Sequence, residues 1–410
     1  MRLTKEENEM VGGKFGYPVQ KAMEILVGLG ACFDAQRMLP VKSVHLAVNS
    51  AVGAGDEGIA FVESLALQGG KFVTFTDTNP VTTPYEDWRE IGISEEWAGK
   101  QDRLTDSYAK MGAFLGNTCT PYIIGQVPMM GEHIAWSESS ATIFANAVIG
   151  ARTNREGGPS SLASALTGRT PEYGFHLDRN RYGDIEILVT APLSGLGDYG
   201  ALGYFAGRIA QDRVPVFTGM PEQVTWNELK MLCAAAATSG SIAMFHAVDI
   251  TPEAPTREFA FGPNKSHDTF EFGDRELEET AALITNATKS EVDLVILGCP
   301  HYTIDEIGYV ASLIEGKKLK KEMWILTAQV IKNYAERMGY LDIIEKSGGK
   351  ILGDACQNLM PPGFFNGHGY YTFATNSPKL AFYQKGLQNV LSHFGATDKC
   401  VQAALSGVWR

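Results

Sequence analysis

Leu294-Val295-Ile296-Leu297-Gly298-Cys299-Pro300-His301 is the stretch on which the reading of this chain turns. The four apolar residues have the length of a buried strand, and Gly298 ends it and opens the backbone at a thiol. Pro300 stiffens the turn, and His301 supplies a hydrogen-bonding ring one residue later. The same strand, loop, helix pattern recurs from about residue 213 onward. Strands are expected at 214–217, 242–248, 294–297, 323–326, 350–352 and 371–374, with helices at 275–286, 303–314 and 329–338 between them. Alternation of this kind predicts a mostly parallel sheet with crossover helices, whose ligands bind beyond the carboxyl ends of the strands. Cys299, Thr327, Asp354, Cys356, Asn376 and Ser377 all fall at such ends.

The amino-terminal half is more mixed. Residues 6–29 have helical spacing, 41–48 alternate like a strand with Lys42, Ser43 and His45 near its start, and 72–75 run into the turn-rich Thr76-Asp77-Thr78-Asn79-Pro80. Residues 137–168 read as a small-residue helical insert in two pieces, broken at Ala151-Arg152-Thr153-Asn154-Arg155-Glu156-Gly157-Gly158-Pro159. The pattern change divides the chain into 1–212, an α/β region with that insert, and 213–410, an α/β domain with a parallel sheet. Residues 249–274 read as a long loop. Gly53-Ala54-Gly55-Asp56-Glu57-Gly58 has dinucleotide-loop spacing but no acidic residue about 20 positions on, and is set aside.

At 410 residues the chain exceeds one ordinary core and should form two or three domains. A formal net charge of -12 without a dense basic run excludes nucleic-acid partners. Apolar stretches of strand length exclude a membrane span. Six cysteines without a CxxC pair fit a reducing, cytoplasmic setting.

Three of the cysteines lie in turn-like contexts: Cys119 in Thr118-Cys119-Thr120-Pro121, Cys299, and Cys356 after Asp354. Three thiolates suit a metal or iron–sulfur cluster with one position open, although Cys299 could equally be a nucleophile. Cys32, Cys233 and Cys400 occupy helical settings and read as packing. Arg152 and Arg155 with Asn154 form a candidate clamp for a carboxylate or phosphate. Lys42, Ser43, His45, Asn376, Ser377 and Lys379 are further candidates for substrate binding. His301 and Glu138 are the candidate catalytic groups, with His133 and Glu138 equally readable as polar support or helix cap.

Long motifs in one order carry a resemblance over nearly the whole chain. They are Lys42-Ser43-Val44-His45, Thr118-Cys119-Thr120-Pro121-Tyr122, Trp136-Ser137-Glu138-Ser139-Ser140, Gly150-Ala151-Arg152-Thr153-Asn154-Arg155-Glu156-Gly157-Gly158, Gly298-Cys299-Pro300-His301 and Thr375-Asn376-Ser377. The chain resembles the large subunit of aconitase X, a branch of the aconitase superfamily. The resemblance implies a multi-domain α/β fold with the active site in a cleft between domains. It further implies a hydro-lyase whose iron–sulfur cluster, 4Fe-4S or 2Fe-2S, is held by Cys119, Cys299 and Cys356. A separate small subunit, a swivelling domain, would cover the site and supply a serine as base. Members dehydrate small anionic hydroxy acids, either mevalonate 5-phosphate or cis-3-hydroxy-L-proline, and the motif versions here look more like the mevalonate 5-phosphate enzymes. Gly298-Cys299-Pro300-His301-Tyr302 is also similar to the cysteine motif of glutamate and aspartate racemases, a metal-independent alternative.

Overall fold

The computed structural model describes residues 1–263 and 267–410. Its frame is a succession of parallel sheets with helices returning the chain between strands. In the first part β1 (Met38–Pro40) pairs antiparallel with β5 (Arg169–Pro171). Beside them β2 (Ser43–Leu46), β3 (Phe75–Thr78) and β4 (Ala135–Trp136) form a parallel sheet in the order β3-β2-β4. A second parallel sheet, β8-β7-β6-β9, contains β6 (Ile185–Val189), β7 (Pro215–Thr218), β8 (His246–Ala247) and β9 (Asp268–Phe272). The third has five strands, β10 (Leu294–Leu297), β11 (Glu322–Thr327), β12 (Gly349–Gly353), β13 (Thr372–Thr375) and β14 (Leu391–Phe394), in the order β12-β11-β10-β13-β14.

The expected boundary at 212/213 runs through the second sheet, where Ile185 of β6 pairs with Pro215 of β7. The 214–217 and 242–248 strands belong to that sheet, not to the carboxyl-terminal one. Strand–helix alternation is the same on both sides of the junction, so the pattern carries no mark of which sheet a strand joins. The expected 249–274 loop includes the helix Arg257–Phe261 and β9. Among the described residues β9 pairs only with β6, at the sheet's edge, and four of its five residues are at least partly exposed, which hides it in a hydropathy reading. The expected 6–29 helix is two, Lys5–Val11 and Tyr17–Cys32, separated by Gly12, Gly13 and Gly16.

β10 explains the rigidity of the third sheet. Its four side chains are fully buried, each contributing about 1.5–3 kcal/mol. Their alternation feeds two cores. Val295 and Leu297 pack with Ile307, Val310 and Ile325, while Leu294 and Ile296 pack with Leu326, Phe365, Phe373 and Leu380. Gly298 then turns at φ 91°, where a Cβ would stand 2.1 Å from the Leu326 carbonyl oxygen, so only glycine lets β10 end here. From β10 the chain winds outward to β11 and β12, then returns to β10's other side as β13 and β14. The helices Ile304–Ile314 and Pro378–Gln388, which follow β10 and β13, cover opposite faces. The loops after these adjacent strands therefore diverge and open a crevice between Cys299 and Ser377, the switch point where open α/β sheets bind ligands.

The carboxyl edges of the first and third sheets face each other. The Val81 amide donates to the Asp354 carbonyl at 3.0 Å, and the Asn117 side-chain amide donates to the Asp354 carboxylate at 3.0 Å. Asn117 and Asp354 both hold left-handed backbone, at φ 44° and 63°. Strained non-glycine residues of this kind gather at functional sites.

Candidate active site

The three cysteines lie in three separate loops. Cys119 follows the loop that leaves Thr78 and Asn117 at the first sheet's edge, Cys299 ends β10, and Cys356 follows β12. Cys299 is buried; Cys119 and Cys356 keep partial exposure to the cleft. Burial raises all three thiols, and the charge of Cys299 adds to the rise at both others, taking Cys356 up to about 12. Cys119 and Cys356 thus both lie near enough to Cys299 to feel its charge. Ser377 and Gln357 oppose the rise at Cys299, and Lys379 opposes it at all three. Buried thiols in such a setting become thiolates on binding a cation.

Lys379 lies in the first turn of its helix, where Ser377 is the cap and Pro378 follows. Its ammonium donates to Glu138 at 2.6 Å and to the Ser139 hydroxyl at 3.2 Å. Glu138 follows β4 and caps the helix Ser139–Ile143. It accepts from the Ala141 amide at 2.7 Å and the Ser140 hydroxyl at 2.6 Å. Burial alone would raise this carboxyl; Lys379, Ser140 and the Ala141 amide outweigh burial and hold it at about 2. A carboxylate this acidic is a poor proton acceptor at neutral pH. Glu138, the expected catalytic group, is held in an ion pair with Lys379.

His301 is also not free to act as a base. Its ring Nε2–H donates to the Ala355 carbonyl at 2.8 Å, since a carbonyl only accepts, and Nδ1 then accepts from the Thr118 hydroxyl at 3.0 Å. Both nitrogens are occupied. Burial keeps the ring neutral, with its pKa lowered to about 4.

The expected arginine clamp does not form. Residues 151–156 run extended beside β4, with Arg152 hydrogen bonded to Glu132 and Ile134, and the Glu156 amide donating to the Trp136 carbonyl. In extended chain, residues three apart point to opposite faces. Arg152 pairs with Asp178 and Asn154 braces the amide of Phe175, both away from the cysteines. Arg155 turns the other way, donates to the Ala237 carbonyl at 3.0 Å, and feels the charges of Glu138 and Tyr383. Its Nε–H is buried without a partner.

The other candidates separate in the same manner. Lys42 is exposed before β2, at the end opposite the carboxyl edge. Ser43 is buried and accepts from the Trp136 indole at 3.2 Å. His45 is buried against Asp77 at 2.6 Å and lies 3.4 Å from Asn79. Asn376 donates to the Tyr302 hydroxyl at 2.7 Å and to Thr397 at 2.9 Å, leaving its carbonyl oxygen unpartnered. Ser377 caps its helix and faces Cys299. His133 lies beside His176 at 3.0 Å, near Arg152. Gln357 was not anticipated; it is buried beside Cys299 with its amide nitrogen unpartnered. Its position directly after Cys356 was the only signal.

Family models for the aconitase X first, second and third domains match residues 1–179, 183–282 and 292–406. The chain belongs to the aconitase X family. This member is similar to the phosphomevalonate dehydratase large subunit of Methanothermobacter thermautotrophicus, 42% identical over 94% of each chain. It is also similar to the cis-3-hydroxy-L-proline dehydratase of Pseudomonas aeruginosa, 32% identical over 99% of this chain and 70% of that one. The crystal structure of Thermococcus kodakaraensis aconitase X in its holo-form matches with a TM-score of 0.90 and 38% identity, covering 98% of this chain and all of that one. Membership displaces the racemase alternative. The aconitase-like α/β arrangement expected from the motifs is the one observed. Among the described residues no helix is long and apolar enough to cross a membrane.

Proposed function

We propose that this chain is the large subunit of a cytoplasmic hydro-lyase that removes water from mevalonate 5-phosphate to give anhydromevalonate 5-phosphate. The reading is supported by Cys119, Cys299 and Cys356 all feeling the charge of Lys379 where the edges of two sheets face each other. The 42% identity to a phosphomevalonate dehydratase large subunit, against 32% to a hydroxyproline dehydratase, supports the choice of substrate.

The donor set fits an iron–sulfur cluster. No group of three or more His, Cys, Asp or Glu side chains among the described residues is arranged to hold a metal ion. A cluster spreads its thiolates over separate irons, so it does not need ligands converging on one point. The unpartnered Gln357 amide faces the same sulfur as Ser377, as donors to cluster sulfurs do. The three cysteines would hold a 4Fe-4S cluster, which when bound supplies a Lewis-acidic iron for the departing hydroxyl.

The chain's own residues do the rest. Lys379, locked by Glu138, presents a fixed positive charge to the substrate carboxylate, and Arg155 offers a second from the side of Glu138. With His301 and Glu138 both engaged, the proton acceptor comes from outside this chain. A separate small subunit bearing a serine, as the resemblance implies, fills that role. The chain spans 70% of the hydroxyproline dehydratase, leaving room there for such a domain on one polypeptide.

The test is an anaerobic assay of the chain co-purified with a small subunit. Mevalonate 5-phosphate should be dehydrated at least tenfold faster than cis-3-hydroxy-L-proline. Absence of dehydration, or preference for the proline, would overturn the proposal.

A further inference from the structure

We propose that His301 is the positioning residue that holds the three cysteine loops in register independently of any cofactor. Its two ring nitrogens reach two different cysteine segments from a position in the third. The ring Nδ1 accepts from Thr118, the neighbour of Cys119; the ring Nε2–H donates to the carbonyl of Ala355, the neighbour of Cys356; and His301 itself lies two residues after Cys299. Its backbone amide donates to the Cys119 sulfur at 3.3 Å. The side chain is 2% exposed, so water does not replace these bonds.

The anchor is itself anchored. The His301 carbonyl accepts from Lys230 at 2.9 Å, and Lys230 is fully buried in an ion pair with Glu306. Glu306 in turn accepts from the Thr303 amide at 2.7 Å, which fixes the turn leading into the next helix. Lys230 comes from the helix Trp226–Ser239, so the second part of the fold braces a residue that joins the first and third. Thr118 completes the chain by accepting from the Thr120 amide at 3.2 Å while its hydroxyl serves His301. Imidazole suits this place because its two nitrogens, one donor and one acceptor, sit on opposite edges of a rigid ring.

The inference rests on reading the three cysteines as one site, and its test needs neither substrate nor turnover. Amide hydrogen exchange is measured by mass spectrometry on the full chain prepared without iron, comparing segments 117–120, 299–303 and 354–358 with strand 185–189. His301→Phe should raise exchange at least tenfold in all three loop segments and leave the strand unchanged; loosening of 299–303 alone, or no change, overturns the proposal. His301→Gln, which keeps an N–H toward Ala355, should restore protection at 354–358; failure to do so while the chain stays folded also overturns it. Should His301→Phe not fold, Thr118→Val removes the Nδ1 bond together with the Thr118–Thr120 bonds, and should loosen 299–303 as well as 117–120 while sparing 354–358. Unchanged exchange at 117–120 or 299–303 in that variant counts against the role. A result of tight loops with no dehydratase activity would refute the proposed reaction and leave this inference standing.

Discussion

Two polar regions differ in what the protein leaves available. The cleft between the first and third sheets holds three thiols, an unpartnered Arg155 Nε–H and an unpartnered Gln357 amide. A cavity of about 250 Å³ lined by Arg152, Asp178, Arg181, His246 and Glu253 contains none of the cysteines. There Arg181 is 2% exposed, with donors engaged by Glu253, Asn146, Phe175 and Ala151. Arginine in that cavity has its donors engaged, whereas the cleft holds buried donors without hydrogen-bond partners. The difference teaches that unengaged donors, rather than the density of charged residues, distinguish the cleft proposed as the active site.

The largest effect that would sharpen this contrast is at Cys299. Cys299→Ser should abolish dehydration, measured anaerobically in the two-subunit complex. Next comes Lys379→Met, which should lower kcat by about 10²–10³-fold and cost about 3–5 kcal/mol by leaving Glu138 buried without its cation. The pH dependence has a definite sign. Glu138 titrates at about 2 in the folded chain, below its ordinary 4.5, so its contribution to stability is present at neutral pH and lost as pH falls from about 4.5 toward 2. In Lys379→Met burial raises the Glu138 carboxyl in the folded chain, so this acid loss should disappear and acidification toward pH 4 should recover part of the stability lost at neutral pH, as read from thermal melting across pH 3–7.

A smaller effect separates the two arginines. Arg155→Ala should raise KM about tenfold, equivalent to about 1.4 kcal/mol, while Arg152→Ala should leave KM within about twofold. Equal effects would break the distinction between cleft and cavity. The smallest is Lys42→Ala, expected to stay within about 0.5 kcal/mol in stability and to leave kinetics unchanged.

Much of the cleft was legible because strand ends announce themselves. Gly298 before Cys299 and Ser377-Pro378 before Lys379 are local signals of a strand stop and a helix start, and the structure places both at the switch point. The arginine clamp was expected in the break between two helical pieces, where sequence assigns no side-chain direction; the segment runs extended there and sends Arg152 and Arg155 to opposite sides. The expected base His301 is a strut, since its partners Thr118 and Ala355 are 183 and 54 residues away and no local pattern encodes them. The allocation of β7 and β8 to a separate sheet was invisible for a related reason, because strand pairing is a long-range property.

The most direct test of the central claim is iron and acid-labile sulfide per chain in the anaerobically purified protein and in its six single Cys→Ser variants. Loss of the cluster is predicted for Cys119→Ser, Cys299→Ser and Cys356→Ser, with full retention in Cys32→Ser, Cys233→Ser and Cys400→Ser. A cluster kept at wild-type content in any of the first three, or lost in a folded member of the second three, would contradict the account.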